Sequence, residues 1–117
     1  MIKVYGIKNC DTVKKTLKWL GDNNIQAELY DYRVNSLDKD WLILAEQRFG
    51  WESLVNKRST TWRNLDENTK KTLTKTTALD LLMEQPTLIK RPIILQDDIA
   101  LIGFNEIEYA TALLNKK

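Results

Sequence analysis

The fold of this chain is decided by the stretch IKVYGIKNCDTVKKTLKWLG, residues 2–21. Residues 2–5 are mostly β-branched and aromatic, and Gly6 ends the run, so we predict a strand. The apolar residues beyond Cys10 recur at helical spacing, namely Val13, Leu17 and Leu20. They predict the buried face of a helix that begins near Asp11 or Thr12.

A second strand is predicted where residues 27–32 alternate in polarity, after Gly21 has capped the helix at its C-terminus. Strand, helix and strand within about thirty residues form a βαβ unit. Its strands are expected to be parallel, with a right-handed crossover.

The middle of the chain, about residues 35–86, has helical patterns and no strand pattern. Residues 57–63 are predicted to be polar and irregular. Within this insert, Ser36 is predicted to cap one helix that ends at Gly50, and Asp66 is predicted to begin a basic helix. Thr76 or Thr77 is predicted to cap a further helix that ends at Pro86.

Strands return near the end of the chain. Residues 88–89 and 92–95 flank Arg91-Pro92, and residues 99–102 complete a hairpin through a turn at 96–98. A final helix follows. The predicted order is therefore βαβ, then a helical insert, then ββα, in one domain spanning residues 1–117.

Composition restricts the function. The chain has 117 residues and a net charge of +2 from 18 basic and 16 acidic residues, which gives no nucleic-acid signature. No apolar run approaches the ~18 residues of a membrane span. The N-terminal residues are too polar for a signal peptide, and one cysteine cannot form an internal disulfide, so a reducing, cytoplasmic location is expected.

Histidine is absent, which excludes Ser-His and Cys-His catalytic pairs and any Cys/His zinc site within the chain. No metal site and no bound cofactor are predicted. Catalysis would have to use a thiol, carboxylates, Arg or Lys side chains, or backbone groups.

Cys10 is the only cysteine. One interpretation is a buried structural thiol, because free cysteine is among the most buried residue types. The alternative is a reactive thiolate: the surrounding residues are polar, and the helix that follows offers free N–H groups and a favourable dipole. The residues around this expected anion site are Lys8, Asn9, Asp11 and Thr12. Asp11 would oppose a thiolate unless it caps the helix.

Position 13 is Val, where a Cys-x-x-Cys motif would have its second thiol. A Cys10 adduct would therefore need an outside thiol to resolve it, such as glutathione or a redoxin.

Two further segments could bind anions. Arg91 stands among apolar residues, and it either extends its charge to solvent at a strand edge or holds an oxyanion with its guanidinium. Residues 55–63, VNKRSTTWR, form either a solvated loop or a second anion-contacting loop. The spacing alone does not decide either case.

The lone cysteine before a helix, the helical insert and LIKRPIIL at residues 88–95 together resemble the ArsC/Spx family, the arsenate reductase branch of the thioredoxin-like superfamily. NKRSTTWR and the short length are most similar to its YffB-type subgroup. The resemblance covers essentially the whole chain. It implies an α/β fold with a thioredoxin-like mixed β-sheet (βαβ…ββα) and an inserted helical region.

The resemblance also implies roles for individual residues. Cys10 would be the catalytic cysteine, Arg91 an arginine that contacts the oxyanion or thiolate, and Pro92 a cis-proline facing the sulfur. Arg58 would be another active-site arginine, with Asn56 as the alternative in that alignment.

One feature departs from the arsenate reductases, which carry a further arginine where this chain has Leu101-Ile102-Gly103-Phe104. The expected function is a thiol-dependent oxidoreductase acting on a small oxyanion or disulfide, with glutathione as co-substrate or a glutaredoxin-like protein as reductant. The alternatives are an Spx-like transcriptional regulator that binds RNA polymerase, and an inactive thioredoxin-fold module. No direct nucleic-acid or membrane partner is expected.

Overall fold

A computed structural model describes residues 1–96 and 98–114 of the chain. Its strands are β1 (Ile2–Gly6), β2 (Ala27–Asp31), β3 (Ile93–Gln96) and β4 (Ile99–Ile102). Its helices are α1 (Asp11–Asp22), α2 (Lys39–Phe49), α3 (Trp51–Leu54), α4 (Thr60–Arg63), α5 (Glu67–Lys71), α6 (Lys75–Glu84) and α7 (Glu106–Leu113), with a 3₁₀ turn at Pro86–Leu88.

The chain divides into two compact units. The first unit combines residues 1–35 with residues 91–117, and the second consists of residues 36–90. The second unit corresponds closely to the helical insert predicted at about 35–86.

The first unit is built on a mixed four-stranded sheet in the order β2-β1-β3-β4. Strands β1 and β2 are parallel, with Val4 opposite Leu29, which confirms the predicted βαβ unit. Strand β3 runs antiparallel to both β1 and β4, so the late strands form the predicted hairpin. Of the turn predicted at residues 96–98, Asp97 lies outside the described residues.

The core of the first unit lies where α1 and α7 meet the sheet. Tyr109 of α7 is fully buried, and its ring meets those of Trp19 and Phe104 edge-on. The buried members of this cluster are Ile2, Val4, Leu20, Ile94, Leu101 and Tyr109. Burial of these side chains packs α1 against β1, and Cys10 lies in the segment between the two elements.

The second unit is a set of helices around its own buried residues, with α2 and α3 both packed against α6. Leu42, Leu54 and Leu82 are fully buried there. One short β-contact, between Val55 and Ile89, lies outside the named strands. This bridge corrects the prediction that the insert has no strand pairing. The predicted strand at residues 88–89 is also wrong, because Leu88 belongs to the 3₁₀ turn and Ile89 makes only this bridge.

The predicted end of α1 is wrong. Gly21 lies within the helix, and the helix ends through two asparagines. Asn23 donates a side-chain hydrogen bond of 2.8 Å to the Trp19 carbonyl, and Asn24 adopts a left-handed conformation with φ of 60°. Asparagine tolerates this conformation better than other side chains, so it serves here in place of glycine.

Several predicted helix starts are also displaced. The cap of α2 is Asp38, not Ser36, and the cap of α6 is Thr74, not Thr76 or Thr77. Thr74 and Thr77 bond reciprocally in a capping box. Within residues 57–63, predicted to be irregular, Ser59 accepts a hydrogen bond from the Trp62 N–H and starts the single turn α4.

The helices are short. No helix in the described part of the chain is long and apolar enough to cross a bilayer.

Candidate active site

Cys10 lies at the junction between the loop after β1 and the first turn of α1. Its backbone is extended, with φ of −99° and ψ of 124°, and its carbonyl accepts the first helical hydrogen bond, 3.0 Å from the Lys14 nitrogen. Cys10 itself is therefore the N-cap residue, and Asp11, which was considered as a cap, is the first residue of the helix. The thiol is partly exposed, unlike a structural core cysteine.

The environment of the sulfur favours the thiolate. Partial burial raises the pKa of Cys10, but the backbone N–H of Val13, the Arg91 side chain and the N–H of Thr12 outweigh this and lower the pKa overall. The N–H groups do not form a capping hydrogen bond of standard geometry with the sulfur. They lie close enough to stabilise its negative charge, as expected at a helix N-terminus.

Arg91 joins this site from the far end of the sequence. Its side chain is partly buried. Burial lowers its pKa, but the neighbouring Cys10 sulfur and Tyr32 hydroxyl raise the pKa overall, so the guanidinium stays charged. Of the two interpretations of Arg91, this arrangement favours an anion contact over extension to solvent at a strand edge, because the guanidinium interacts with the Cys10 sulfur.

Pro92 follows Arg91 through a cis peptide bond, as the family resemblance implied. Its side chain is buried, and its carbonyl accepts a hydrogen bond of 2.8 Å from the Gly103 N–H. This bond fixes the residue after Arg91 to the end of β4.

Gly6 allows these parts to approach each other. A β-carbon at position 6 would lie 2.7 Å from Cγ2 of Val13 and 3.8 Å from Cβ of Arg91. Val13 is fully buried. The glycine that ends β1 is thus needed for the close contact between the strand and the first turn of α1.

Asp31 and Tyr32, which are not among the predicted site residues, also belong to this neighbourhood. The Asp31 carboxylate accepts hydrogen bonds from the backbone N–H groups of Lys8 at 3.0 Å and Arg33 at 2.8 Å. Tyr32 is 5% exposed and donates its backbone N–H to the Gly6 carbonyl at 3.3 Å. The one pattern in the sequence around Asp31 and Tyr32 is the alternating polarity of a strand that ends there. Many strands share this pattern, so it does not identify a functional site.

The other predicted residues near Cys10 contribute through their backbone or lie at the surface. Thr12 acts through its N–H, and its side chain is exposed. The side chains of Lys8, Asn9 and Asp11 are exposed as well. Their predicted role in anion binding stays a prediction.

Arg58 and Asn56 lie in the second unit, so their predicted part in a site with Cys10 also stays a prediction. They line a pocket of about 320 Å³ whose other lining residues are Val55, Lys57 and Lys90. The Asn56 side-chain oxygen accepts the Arg58 backbone N–H at 3.1 Å, which shapes the loop, and the Arg58 side chain is exposed. The pocket is cationic and suits an anionic group.

Residues 5–112 match the sequence model of the ArsC family. The chain belongs to the ArsC family. The match covers both units, so the thioredoxin-like α/β fold class and the predicted family resemblance are confirmed.

Individual relatives agree with this placement. The chain is 70% identical to an uncharacterised protein of Haemophilus influenzae over 96% of its own length and 98% of the relative's. It is 30% identical to the global transcriptional regulator Spx of Streptococcus agalactiae, covering 92% of this chain and 80% of that protein.

Two solved structures share the fold closely. A YffB protein superimposes with a TM-score of 0.91 at 36% identity, covering 97% of this chain and 99% of the other. An arsenate reductase (ArsC) related protein from Brucella melitensis superimposes with a TM-score of 0.77 at 35% identity, covering 94% and 92%.

Proposed function

We propose that this ArsC-family protein is a cytoplasmic thiol-dependent oxidoreductase in which Cys10 is the nucleophile and glutathione is the reductant. The observation that carries the proposal is the convergence of the α1 N-terminus and the Arg91 guanidinium on the Cys10 sulfur. A thiolate, not a thiol, is the attacking species in disulfide exchange. The relationship to an arsenate reductase related protein supports the same class of chemistry.

The reaction we propose is exchange with a disulfide that links glutathione to another thiol. The Cys10 thiolate attacks the glutathione sulfur, a Cys10–glutathione disulfide forms, and the other thiol leaves as its thiolate. The thiolate of a second glutathione then attacks the glutathione sulfur of this adduct. Oxidised glutathione leaves, and the Cys10 thiolate is restored. The net exchange converts the mixed disulfide and one added glutathione into the free thiol and oxidised glutathione, so the added glutathione is the reductant.

An outside thiol is required because position 13 holds a buried valine. Cys10 is the chain's one cysteine, so no second thiol within the chain can resolve the adduct. A glutaredoxin-like protein would serve as an alternative reductant at the same step.

Arsenate is the less favoured substrate. The segment where arsenate reductases carry a further arginine contains Gly103, which has a φ of 73° and bonds to the Pro92 carbonyl. A site that lacks this positive charge would hold a multiply charged oxyanion less tightly. A disulfide carries its charge on the glutathione carboxylates and does not need that arginine.

The test is glutathione-coupled reduction of the mixed disulfide of cysteine and glutathione, with arsenate offered separately. The unmodified protein should reduce the disulfide, and Cys10→Ser should abolish turnover and the glutathione adduct seen by intact-protein mass spectrometry. Arg91→Ala should lower kcat/KM by roughly tenfold or more, because it removes a charge-assisted interaction. Equal turnover by Cys10→Ser would refute the proposal.

A second candidate function is transcriptional regulation through RNA polymerase, favoured by the Spx relatives at 28–30% identity. Retention of polymerase subunits by the immobilised full chain, under reducing conditions and with Cys10→Ser as control, would support it. A chain that turns over the disulfide and retains no polymerase would exclude this candidate.

A further inference from the structure

Tyr32 is a buried tyrosine beside the reactive groups, and neither the sequence nor the proposed reaction assigns it a part. We propose that Tyr32 is a positioning residue: its hydroxyl holds the Arg91 guanidinium in place against the Cys10 sulfur. This inference rests on the proposed function and adds a residue to that same site.

The backbone fixes Tyr32 firmly. Its N–H donates to the Gly6 carbonyl at 3.3 Å, which continues the pairing of β1 and β2 by one residue. The preceding Asp31 bonds to the backbone of Lys8 in the loop that leads to Cys10. The ring is therefore attached to the same strand end and loop that position the thiol.

The Tyr32 hydroxyl lies in the interior, where a ring that served only for packing would not need a hydroxyl. It is buried, and among residues 1–96 and 98–114 it has no hydrogen bond of standard geometry. Gly6, which accepts the Tyr32 N–H, also lies beside Arg91: a β-carbon at position 6 would be 3.8 Å from Cβ of Arg91. The Arg91 guanidinium lowers the pKa of Tyr32 and the Cys10 thiolate raises it, as expected for neighbouring groups. A buried hydroxyl is costly unless a polar group lies beside it, and the Arg91 guanidinium is such a group for Tyr32.

The chemistry of the two groups is complementary. A guanidinium has only donors, arranged in a rigid fork, and a phenol oxygen accepts hydrogen bonds. Burial raises the pKa of Tyr32 to about 12, so the phenol stays neutral and does not compete with the thiolate for the arginine charge. Some N–H groups of the Arg91 guanidinium can therefore donate to the Tyr32 hydroxyl oxygen while the others face the Cys10 sulfur.

The test measures the pKa of Cys10 from alkylation rate against pH, using iodoacetamide on the full chain. We expect Tyr32→Phe to raise the pKa by about half a unit to one unit and to slow alkylation near pH 7 accordingly. In the Arg91→Ala background the same substitution should have no further effect, because Tyr32 acts through the arginine.

Tyr109→Phe is the matched control, since it removes another buried hydroxyl, one that bonds to the Gly103 carbonyl at 2.7 Å. It should lower thermal stability and leave the Cys10 pKa unchanged. This separates positioning from general destabilisation.

A Cys10 pKa that Tyr32→Phe leaves unchanged while Arg91→Ala raises it would overturn this inference and leave the proposed function intact. An equal effect of Tyr32→Phe with and without Arg91 would overturn it too, because the tyrosine would then act independently. An ordinary thiol pKa in the unmodified protein would overturn the proposed function, and this inference with it.

Discussion

The Asp31 carboxylate accepts a hydrogen bond of 3.0 Å from the backbone N–H of Lys8, which ties the end of β2 to the loop before Cys10. The same carboxylate accepts the Arg33 N–H at 2.8 Å. The Asp31 side chain thus joins its own turn to a backbone segment that lies 23 positions earlier in the sequence.

We expect Asp31→Ala to lower the free energy of unfolding by about 1 kcal/mol, because two hydrogen bonds to backbone donors are lost. Exchange of the Lys8 amide hydrogen should accelerate as well. Urea unfolding and hydrogen exchange measure the two effects. Asp22→Ala is the control: it removes an exposed carboxylate paired with Lys18 at 2.9 Å, and should cost less than about 0.5 kcal/mol. Equal losses in the two variants would contradict the role assigned to Asp31.

Two glycines should respond in opposite directions to the same substitution. Gly6→Ala places a β-carbon 2.7 Å from Val13 Cγ2, and Val13 is buried and restricted in its rotamers, so we expect a loss of about 1–3 kcal/mol. Gly21→Ala meets nothing within 4 Å and lies inside α1, so it should stabilise by about 0.5–1 kcal/mol. Thermal unfolding of both variants tests the packing at the end of β1. A tolerated Gly6→Ala would show that α1 can move away from the strand.

The lowered pKa of Cys10 predicts a pH-dependent stability. The thiol has a pKa of about 8.5 in the unfolded chain and a lower one in the folded chain, so between the two values the unfolded chain binds more protons. Stability from this group is therefore complete above about pH 8.5 and is lost as the pH falls through the folded pKa. Urea unfolding should show the difference between the unmodified protein and Cys10→Ser growing with pH up to that point. A constant difference would mean that the thiol is not activated.

The basic pocket of the second unit should affect binding of the reductant more than chemistry. We expect Arg58→Ala to raise the KM for glutathione about two- to fivefold with little change in kcat, as loss of an exposed charge contact does. Arg48→Ala is the matched control, since Arg48 is an exposed arginine of α2 that lies outside the residues lining the pocket. If the KM of Arg58→Ala is unchanged, the arginine takes no part in the reaction.

The parts of the fold that sequence predicted well are those set by local periodicity. The strand at residues 2–6, the apolar face of α1 and the late hairpin repeat their patterns over several residues. Cap residues were harder to choose. Ser36 and Asp38 are both good N-cap residue types, as are Thr74 and Thr76, and only the backbone conformation decides which of them caps the helix.

The site was predictable to a smaller extent. The reactivity of Cys10 could be predicted from the polar residues and the helix start next to it in the sequence. Its interaction with Arg91 was implied only by the family resemblance, since residues so far apart in sequence carry no common pattern. Tyr32 was missed for a similar reason: its significance depends on which groups surround its hydroxyl after folding.

The first unit is assembled from both ends of the chain, with the second unit inserted between them. Cys10 and Arg91 are separated by about eighty residues, which a ribosome adds in roughly 4 to 16 s. A nascent chain therefore carries its cysteine for seconds without the arginine and without strand β3 beside β1. During that interval the thiol has the modest reactivity of any unfolded cysteine, so synthesis itself delays activation of the sulfur until Arg91 has been added and β3 can pair with β1.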